Sequence, residues 1–363
     1  MKTDMSTHDR AVIPIIIPSL EPDERFPAIL SDLSEAGLAP VIVVDDGSSD
    51  AYRHFFDQAE REYDAVVLRH DVNRGKGRAL KTAFSYCLEQ YDGLVGCVTA
   101  DSDGQHTAEC IRKVREALLE HSDDLVLGVR DFSDREVVPQ KGRFGNTLTC
   151  RVFHALYGVR LRDTQTGLRG IPSTFMRQLL DVEGERFEFE TQMLIEAVQT
   201  KRGFFEVPIE TVYDSVDHHT THYKPVADSV RVYRLFFASF IRFAISGFSS
   251  FVIDLLLFSL FCRLFKGMEI GIGYIALATA CARVISAVYN CLLNYRFVFR
   301  SKKSYGGSLL RYTALAAAQM AASAGLTTAL CLVFPAKAEV LVKLCVDACL
   351  FFISYRIQKR YVY

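Results

Sequence analysis

From residue 11 to about Tyr233, short apolar runs that stop at proline, glycine or acidic clusters alternate with longer mixed stretches; beyond Phe236 the runs become long and almost uncharged. The first pattern predicts alternating strands and helices. Ala11 to Pro18, centred on Ile15-Ile16-Ile17, reads as a strand, because Pro18-Ser19-Leu20-Glu21-Pro22 then removes ladder donors and opens a loop. A helix over Glu24 to Glu35, a strand over Pro40 to Val44 and a strand over Ala65 to Arg69 follow. Next come a helix from Ala79 to about Gln90, an apolar run from Leu94 to Val98, a helix over Ala108 to Glu120 and a strand over Asp124 to Val129. A helix reaching Tyr157, a strand-like piece after a polar turn at 163–170, a helix over Thr191 to Thr200 and a short strand at Phe205 to Ile209 complete the region. Strand, helix and strand joined by short connections predict a parallel sheet with right-handed crossovers.

The second pattern holds four apolar stretches, about Phe236 to Phe265, Ile270 to Tyr295, Leu309 to Phe334 and Val340 to Tyr355. Each can supply the roughly 20 apolar residues that cross about 30 Å of hydrocarbon, the last most tightly. Lys and Arg gather in the central loop (Arg296, Arg300, Lys302, Lys303, Arg311) and near the C-terminus (Arg356, Lys359, Arg360), with only Arg263, Lys266 and Lys337 in the other loops. The positive-inside rule then places the first domain and both termini in the cytoplasm of a multi-pass protein of the inner or plasma membrane. The polar segment Met1 to Arg10, with no apolar h-region, predicts no signal peptide. The expected organisation is an α/β domain over 1–224, an interfacial juxtamembrane helix over 225–240 and a four-helix transmembrane domain over 241–363. In the interfacial segment Val230, Tyr233, Phe236, Phe237 and Phe240 fall at helical spacing, with Arg231 and Arg234 available to headgroups.

At 363 residues the chain is long enough for two domains, and a net charge of −1 gives no reason to expect a nucleic-acid partner. Ten cysteines without a C-x-x-C pair, several inside apolar runs, predict reduced thiols. Within the apolar spans lie Asp254, Arg283 and Lys343, each costing at least about 2.5–3.5 kcal/mol on insertion scales. Such groups either pair or line a polar path, which Asn290 and Asn294 would extend; alternatively Arg283 and Lys343 snorkel and the bundle is an anchor.

Candidate chemistry centres on Asp101-Ser102-Asp103-Gly104-Gln105-His106, directly after an apolar run. Alternation along a strand brings Asp101 and Asp103 to one side at its end, where two hard oxygen ligands can hold a divalent cation. Asn73-Arg74-Gly75-Lys76-Gly77-Arg78 is a glycine-rich loop entering a helix, without P-loop spacing; it reads equally as a phosphate-approaching loop or a basic turn. Glu188 and Glu190 open a helix, where a dipole-capping role accounts for both, with a catalytic role as the alternative. His218, His219 and His222 have a spacing that ligates zinc on a helix, but Thr220, Thr221 and Pro225 argue against a helix there.

Taken in order, V-V-D-D-G-S-S-D at 43–50, N-R-G-K-G-R-A-L at 73–80, A-D-S-D-G-Q-H at 100–106, G-V-R at 128–130, D-T-Q-T-G-L-R at 163–169 and V-P-I at 207–209 resemble family 2 glycosyltransferases of the GT-A fold. The resemblance is to the branch of dolichol-phosphate mannose synthases and bacterial polyprenyl-phosphate glycosyltransferases. The tail resembles the GtrA-like membrane family through R-F-x-x-S-G with Asp254, A-R-V-I-S-A-V-Y-N-C-L-L-N-Y-R-F-V-F at 282–299 and the S-Y-R-I-Q-K-R ending. This implies a Rossmann-like, mostly parallel α/β domain followed by an all-α transmembrane domain. It also implies that Pro18, Glu21, Asp45, Asp46, Lys76 and Asp101 hold the nucleotide sugar, with Asp45 and Asp46 at base and ribose. Asp101, Asp103 and Gln105 would hold Mg2+ or Mn2+, and Arg130, Arg143 and Thr147 the lipid phosphate. Asp163 is the acidic candidate beside the site, as a base or an orienting group. The family's first loop usually reads P-x-Y-N-E; Leu20 stands here without a tyrosine's polar contact, which leaves the base open and uridine weakly preferred to guanine.

The expected reaction is metal-dependent, inverting transfer of a hexose from a UDP-glucose-like donor, or GDP-mannose, to polyprenyl (undecaprenyl) phosphate. A phosphate monoester is mostly a dianion at neutral pH, its second pKa being about 6, so a general base is optional. The bilayer is a partner, homo-oligomerisation is left open, and the resemblance associates the bundle with moving lipid-linked sugars for cell-envelope polysaccharide. The alternative is a lipid-linked-sugar transporter or binding module with an inactive first domain. A processive synthase would carry Q-x-x-R-W, and this chain has no tryptophan.

Overall fold

The computed structural model describes residues 11–130, 140–210, 225–265, 273–299, 301, 304–331 and 339–363. The chain divides into two compact units, Met1–Leu235 and Phe236–Tyr363. In the first, β1 (Ile15–Ser19), α1 (Arg25–Glu35), β2 (Val41–Asp45), α2 (Arg53–Tyr63), β3 (Val66–Arg69), α3 (Lys76–Gln90) and β4 (Gly96–Thr99) alternate. There follow α4 (Ala108–Glu120), β5 (Leu125–Arg130), α5 (Gln140–Tyr157), β6 (Arg169–Pro172), α6 (Ser173–Leu179), α7 (Glu188–Gln199) and β7 (Phe204–Ile209).

The seven strands lie in the order β3-β2-β1-β4-β6-β5-β7. β1 pairs in parallel with β2 and β4, β2 with β3, and β5 with β7, whereas β6 runs antiparallel to both β4 and β5. Strand order reverses beside β1, which opens a crevice at the carboxyl edge, where ligands of such sheets bind. Central strands covered on both faces need continuous apolar sequence, and Ile15, Ile16 and Ile17 are all fully buried. Their core neighbours include Phe26, Leu30, Phe56, Val98 and Ile111. Thr107 caps α4, its hydroxyl accepting from the Cys110 N–H at 3.3 Å.

The antiparallel β6 was not foreseen. β5 ends at the carboxyl edge, and α5 with the polar turn after it brings the chain back there, so β6 can only run downward. That reversal sets residues 163–168 at the site. Two helices also escaped the sequence reading: α2 is mostly polar and buries only Phe55, Phe56 and Ala59, and α6 spans only seven residues.

The second unit contains the greater part of α8 (Pro225–Phe265), together with α9 (Gly273–Leu293), α10 (Tyr305–Cys331) and α11 (Glu339–Ile357). Residues 225–240 are thus the start of one 41-residue helix. Among the described residues, Phe240–Phe265 and Leu277–Val298 are long and apolar enough to cross a membrane. α10 is rich in alanine, and α11 carries Lys343 and Asp347. Phe243 packs at 4.9 Å centroid distance from Phe351 and 5.4 Å from Tyr355, joining α8 to α11.

Candidate active site

Asp101 lies two residues beyond β4 at the carboxyl edge, and three neighbours fix it. Lys76, the first residue of α3, donates from Nζ to Asp101 Oδ1 at 2.7 Å and to Glu190 Oε1 at 3.0 Å. Gly167 backs the carboxylate so closely that a Cβ there would stand 2.3 Å from Asp101 Oδ2. Thr99 Oγ1 donates to the Gly167 carbonyl at 2.8 Å, tying the 163–168 turn to β4. Burial works against the Asp101 charge, but Lys76 and then His106 outweigh it and hold the carboxyl at about 2. Burial likewise opposes the Lys76 ammonium, and Asp101 and Glu190 overcome it, keeping the lysine above its ordinary range.

Asp103 accepts from the Gln105 N–H at 3.1 Å across the turn at Gly104, whose φ is 74°. Burial and the adjacent Asp101 charge raise the Asp103 carboxyl. Burial lowers His106, against the opposing pull of Asp101 and Asp103. Two crowded carboxylates of which one resists ionisation fit a hard divalent ion, which takes one or two carboxylates and completes its shell with water and substrate phosphate. Among the described residues no three His, Cys, Asp or Glu side chains cluster as a closed metal cage.

A second group gathers where β5 ends. Arg130 forks onto the fully buried Asp163, Nε to Oδ2 at 2.7 Å and Nη2 to Oδ1 at 3.1 Å. Asp163 also accepts from the Gln165 N–H at 2.9 Å. So held, Asp163 is suited to orienting Arg130. Asn146 donates to the Arg162 carbonyl at 3.0 Å and accepts from the Thr164 N–H at 3.1 Å, fastening α5 to the same turn, with Thr147 beside it exposed. The Arg143 side chain and His218, His219 and His222 lie outside the described residues.

Asp45 and Asp46 separate in role. The Asp45 carboxylate accepts from the Ser48 N–H at 2.9 Å. Asp46 is consumed by the fold: it accepts from Arg74 N–H at 3.0 Å and Gly75 N–H at 2.7 Å and contacts His70 Nδ1 at 2.8 Å. It holds the glycine-rich loop. Pro18 is buried within β1, so its expected nucleotide contact is not made by an exposed ring. Glu21 is exposed, its N–H donating to Ser48 Oγ at 2.8 Å. The glycines at 75 and 77 serve a close approach of backbone: added Cβ atoms would meet the Glu185 carbonyl at 2.4 Å and Phe189 Cβ at 2.6 Å.

Glu188 and Glu190 also part. Glu188 accepts from the Glu185 and Arg186 N–H groups, the capping role expected, whereas Glu190 faces Lys76 in the site. Fully buried Arg169 donates to the Thr166 and Glu190 carbonyls at 2.9 and 2.6 Å, linking the turn to α7; neither Arg169 nor Gly167 stood out individually in the sequence.

In the second unit Asp254 pairs with Arg283 at 3.3 Å and accepts from Ser286 at 2.8 Å. Asn290 accepts from Ser246 at 3.0 Å and donates to Tyr312 at 2.9 Å, cross-linking α8, α9 and α10. Lys343 joins a separate cluster, 2.8 Å from Asp347 and 2.6 Å from Ser323. Its spacing of four from Asp347 on α11 was the missed signal.

An α/β sheet with an acidic carboxyl edge, on a chain that continues into apolar helices, defines a membrane-bound glycosyltransferase once the sequence profiles are compared. Residues 15–181 match the glycosyl transferase family 2 profile and residues 242–363 the GtrA/DPMS transmembrane domain, so the chain joins a family 2 glycosyltransferase domain to a GtrA/DPMS transmembrane domain. It is 28% identical over 218 residues to the UDP-N-acetylglucosamine–dolichyl-phosphate N-acetylglucosaminyltransferase of Methanococcus voltae, covering 56% of this chain and 86% of that one. It is 28% identical over 199 residues to a dolichyl-phosphate hexose transferase of Haloferax volcanii, covering 54% and 80%. Among solved structures, glucosyl-3-phosphoglycerate synthase of Mycobacterium tuberculosis with Mn2+, UDP and phosphoglyceric acid aligns at TM-score 0.47 and 15% identity, over 62% of this chain and 75% of that one.

Proposed function

We propose that this protein transfers a hexose from a nucleotide sugar, with UDP preferred, to a polyprenyl phosphate at the cytoplasmic face of a membrane. The observation that carries the reading is the union in one chain of a family 2 glycosyltransferase domain and a GtrA/DPMS transmembrane domain. A soluble acceptor would give the helices no part in the reaction, whereas a lipid phosphate requires the enzyme to work at a bilayer. The names of the Methanococcus and Haloferax relatives, both dolichyl-phosphate transferases, support the same acceptor class.

In this reading Asp101, Asp103 and Gln105 hold Mg2+ or Mn2+, which supplies Lewis-acid stabilisation of the leaving diphosphate. Asp45, Glu21 and Lys76 bind the nucleotide sugar, and Arg130, Arg143 and Thr147 receive the acceptor phosphate. Asp163 aims Arg130. The acceptor dianion attacks opposite the diphosphate, inverting the anomeric centre. The second unit spans the membrane four times with both termini cytoplasmic, anchors the enzyme and serves passage of the lipid-linked sugar past Asp254, Arg283, Asn290 and Lys343.

Membranes containing the full chain, supplied with undecaprenyl phosphate and a panel of radiolabelled nucleotide sugars, should incorporate label from a UDP-hexose into organic-extractable lipid, and EDTA should stop it. Absence of labelled lipid with every donor would refute the acceptor assignment; undiminished labelling in EDTA would refute the metal.

A further inference from the structure

Lys76 is anchored as few site lysines are. Its own backbone opens α3, the preceding Gly75 is pinned by the Asp46 carboxylate at 2.7 Å, and the Arg78 N–H after it donates to the Glu185 carbonyl at 2.9 Å. Only the side chain is free to move, and its stem is four carbons long. The ammonium is shared between two carboxylates from opposite sides of the crevice, Asp101 after β4 and Glu190 in the first turn of α7. The Lys76 and Glu190 side chains are shielded, 17% and 14% exposed, while the Asp101 side chain is 31% exposed. The other cations nearby are otherwise engaged: Arg130 forks onto Asp163, and Arg169 donates to carbonyl oxygens. Gly167 lies directly against Asp101 and, having no side chain, leaves its carboxylate room.

We infer that Lys76 is an internal counter-ion that occupies Asp101 in the donor-free enzyme, competes there with the divalent cation, and is handed to Glu190 when the cation binds. The inference rests on the metal assignment to Asp101 and Asp103, and it adds a consequence for the order of binding. While Lys76 holds Asp101, the free enzyme has low affinity for a bare divalent ion. A cation arriving with a nucleoside diphosphate replaces the lysine's charge at Asp101, and Glu190 keeps the displaced ammonium paired. Glu190 is therefore a positioning residue that acts through Lys76.

The test is Mn2+ binding to the full chain in detergent without nucleotide, read as loss of the free-Mn2+ electron paramagnetic resonance signal. Lys76→Met should bind Mn2+ about tenfold more tightly than wild type, since a full opposing charge within about 3 Å is removed. Lys76→Gln, which keeps hydrogen bonds to both carboxylates and so guards against misfolding, should shift in the same direction. Lys76→Arg, which keeps the charge, should stay near wild type. Mn2+ should raise the melting temperature of Lys76→Met more than that of wild type. If Lys76→Met and Lys76→Gln bind no more tightly than wild type, while Asp103→Asn loses binding, the counter-ion role is refuted and the metal site stands. If Asp101→Asn and Asp103→Asn bind Mn2+ like wild type, the metal site and the inference fall together.

Discussion

Asp101 sits between a lysine that neutralises it and a glycine that leaves it room. A methyl group on residue 167 would fall 2.3 Å from its carboxylate, the mobile tip of a side chain, so Gly167→Ala displaces Asp101 rather than the backbone. Stability should change little, while a misplacement of about 1 Å costs on the order of 100-fold in transfer. Labelled-lipid assays beside thermal melts check this; a large fall in melting temperature with activity kept would contradict it. Asp103→Ala should abolish transfer and leave the fold intact, because it removes a charged ligand and no packing group; wild-type turnover in that variant would end the metal assignment. Arg130→Ala is of another kind. It leaves the Asp163 carboxylate fully buried without its cation, and breaking such a pair costs about 3–5 kcal/mol, so chemical denaturation as well as activity should register it. At this scale Asp101 and Asp103 stood out through the order of motifs around them, since an acidic pair at a strand end is by itself often a solvated turn. The sequence concealed Glu190, because an acid in a first helical turn already has an ordinary explanation, and its partner lies 114 residues away. The hold of Asp46 on the glycine-rich loop was not legible either, because its partners lie 28 and 29 residues away.

At the scale of elements the site is a consequence of strand direction. Hydrophobic runs revealed β1, β2, β4 and β5 because a strand covered on both faces must be apolar throughout, and Ala108 to Glu120 was legible to the residue through its periodicity and polar cap. The direction of β6 was not legible, since four residues have no periodicity that distinguishes parallel from antiparallel pairing. Yet that direction carries Asp163, Gly167 and Arg169 to the edge where Asp101 waits. The seating of α3 against residues 185–189 is the other element-scale feature. Gly77→Ala would gain up to about 1 kcal/mol of helix propensity, but its Cβ would press on Phe189 Cβ at 2.6 Å and the Glu185 backbone at 2.9 Å, none of them a flexible tip. Overpacking of this sort costs about 1–3 kcal/mol, so the variant should be less stable on balance. A lower urea midpoint with weaker transfer is expected, because Lys76 is the adjoining residue; a midpoint above wild type would show that α3 can slide.

For the whole molecule, the composition shifts near Phe236, where a bilayer and an aqueous core select different surfaces, and the structure divides into its two compact units between Leu235 and Phe236. Pairings inside the membrane unit were less legible: Asp254, Arg283 and Lys343 were found as a set, while the structure sorts them into an Asp254–Arg283 pair and a Lys343–Asp347–Ser323 cluster. Why both units belong to one chain is a question of where the acceptor is. A polyprenyl phosphate keeps its charged head at the interface and its chain in the hydrocarbon, so a soluble catalyst must find that interface on each turnover, whereas a tethered one remains there. A chain ended at Leu235 retains the sheet and the Asp101 edge, and should therefore bind a UDP-sugar with Mn2+ as the full chain does. It should lose most transfer to undecaprenyl phosphate in vesicles and recover part of it with a short-chain, water-soluble polyprenyl phosphate, which removes the need for an interface. Calorimetry for the donor and labelled-product assays with both acceptors separate these expectations. Equal rates of the fragment and the full chain on the vesicle-embedded acceptor would show that the membrane unit has no part in presenting it.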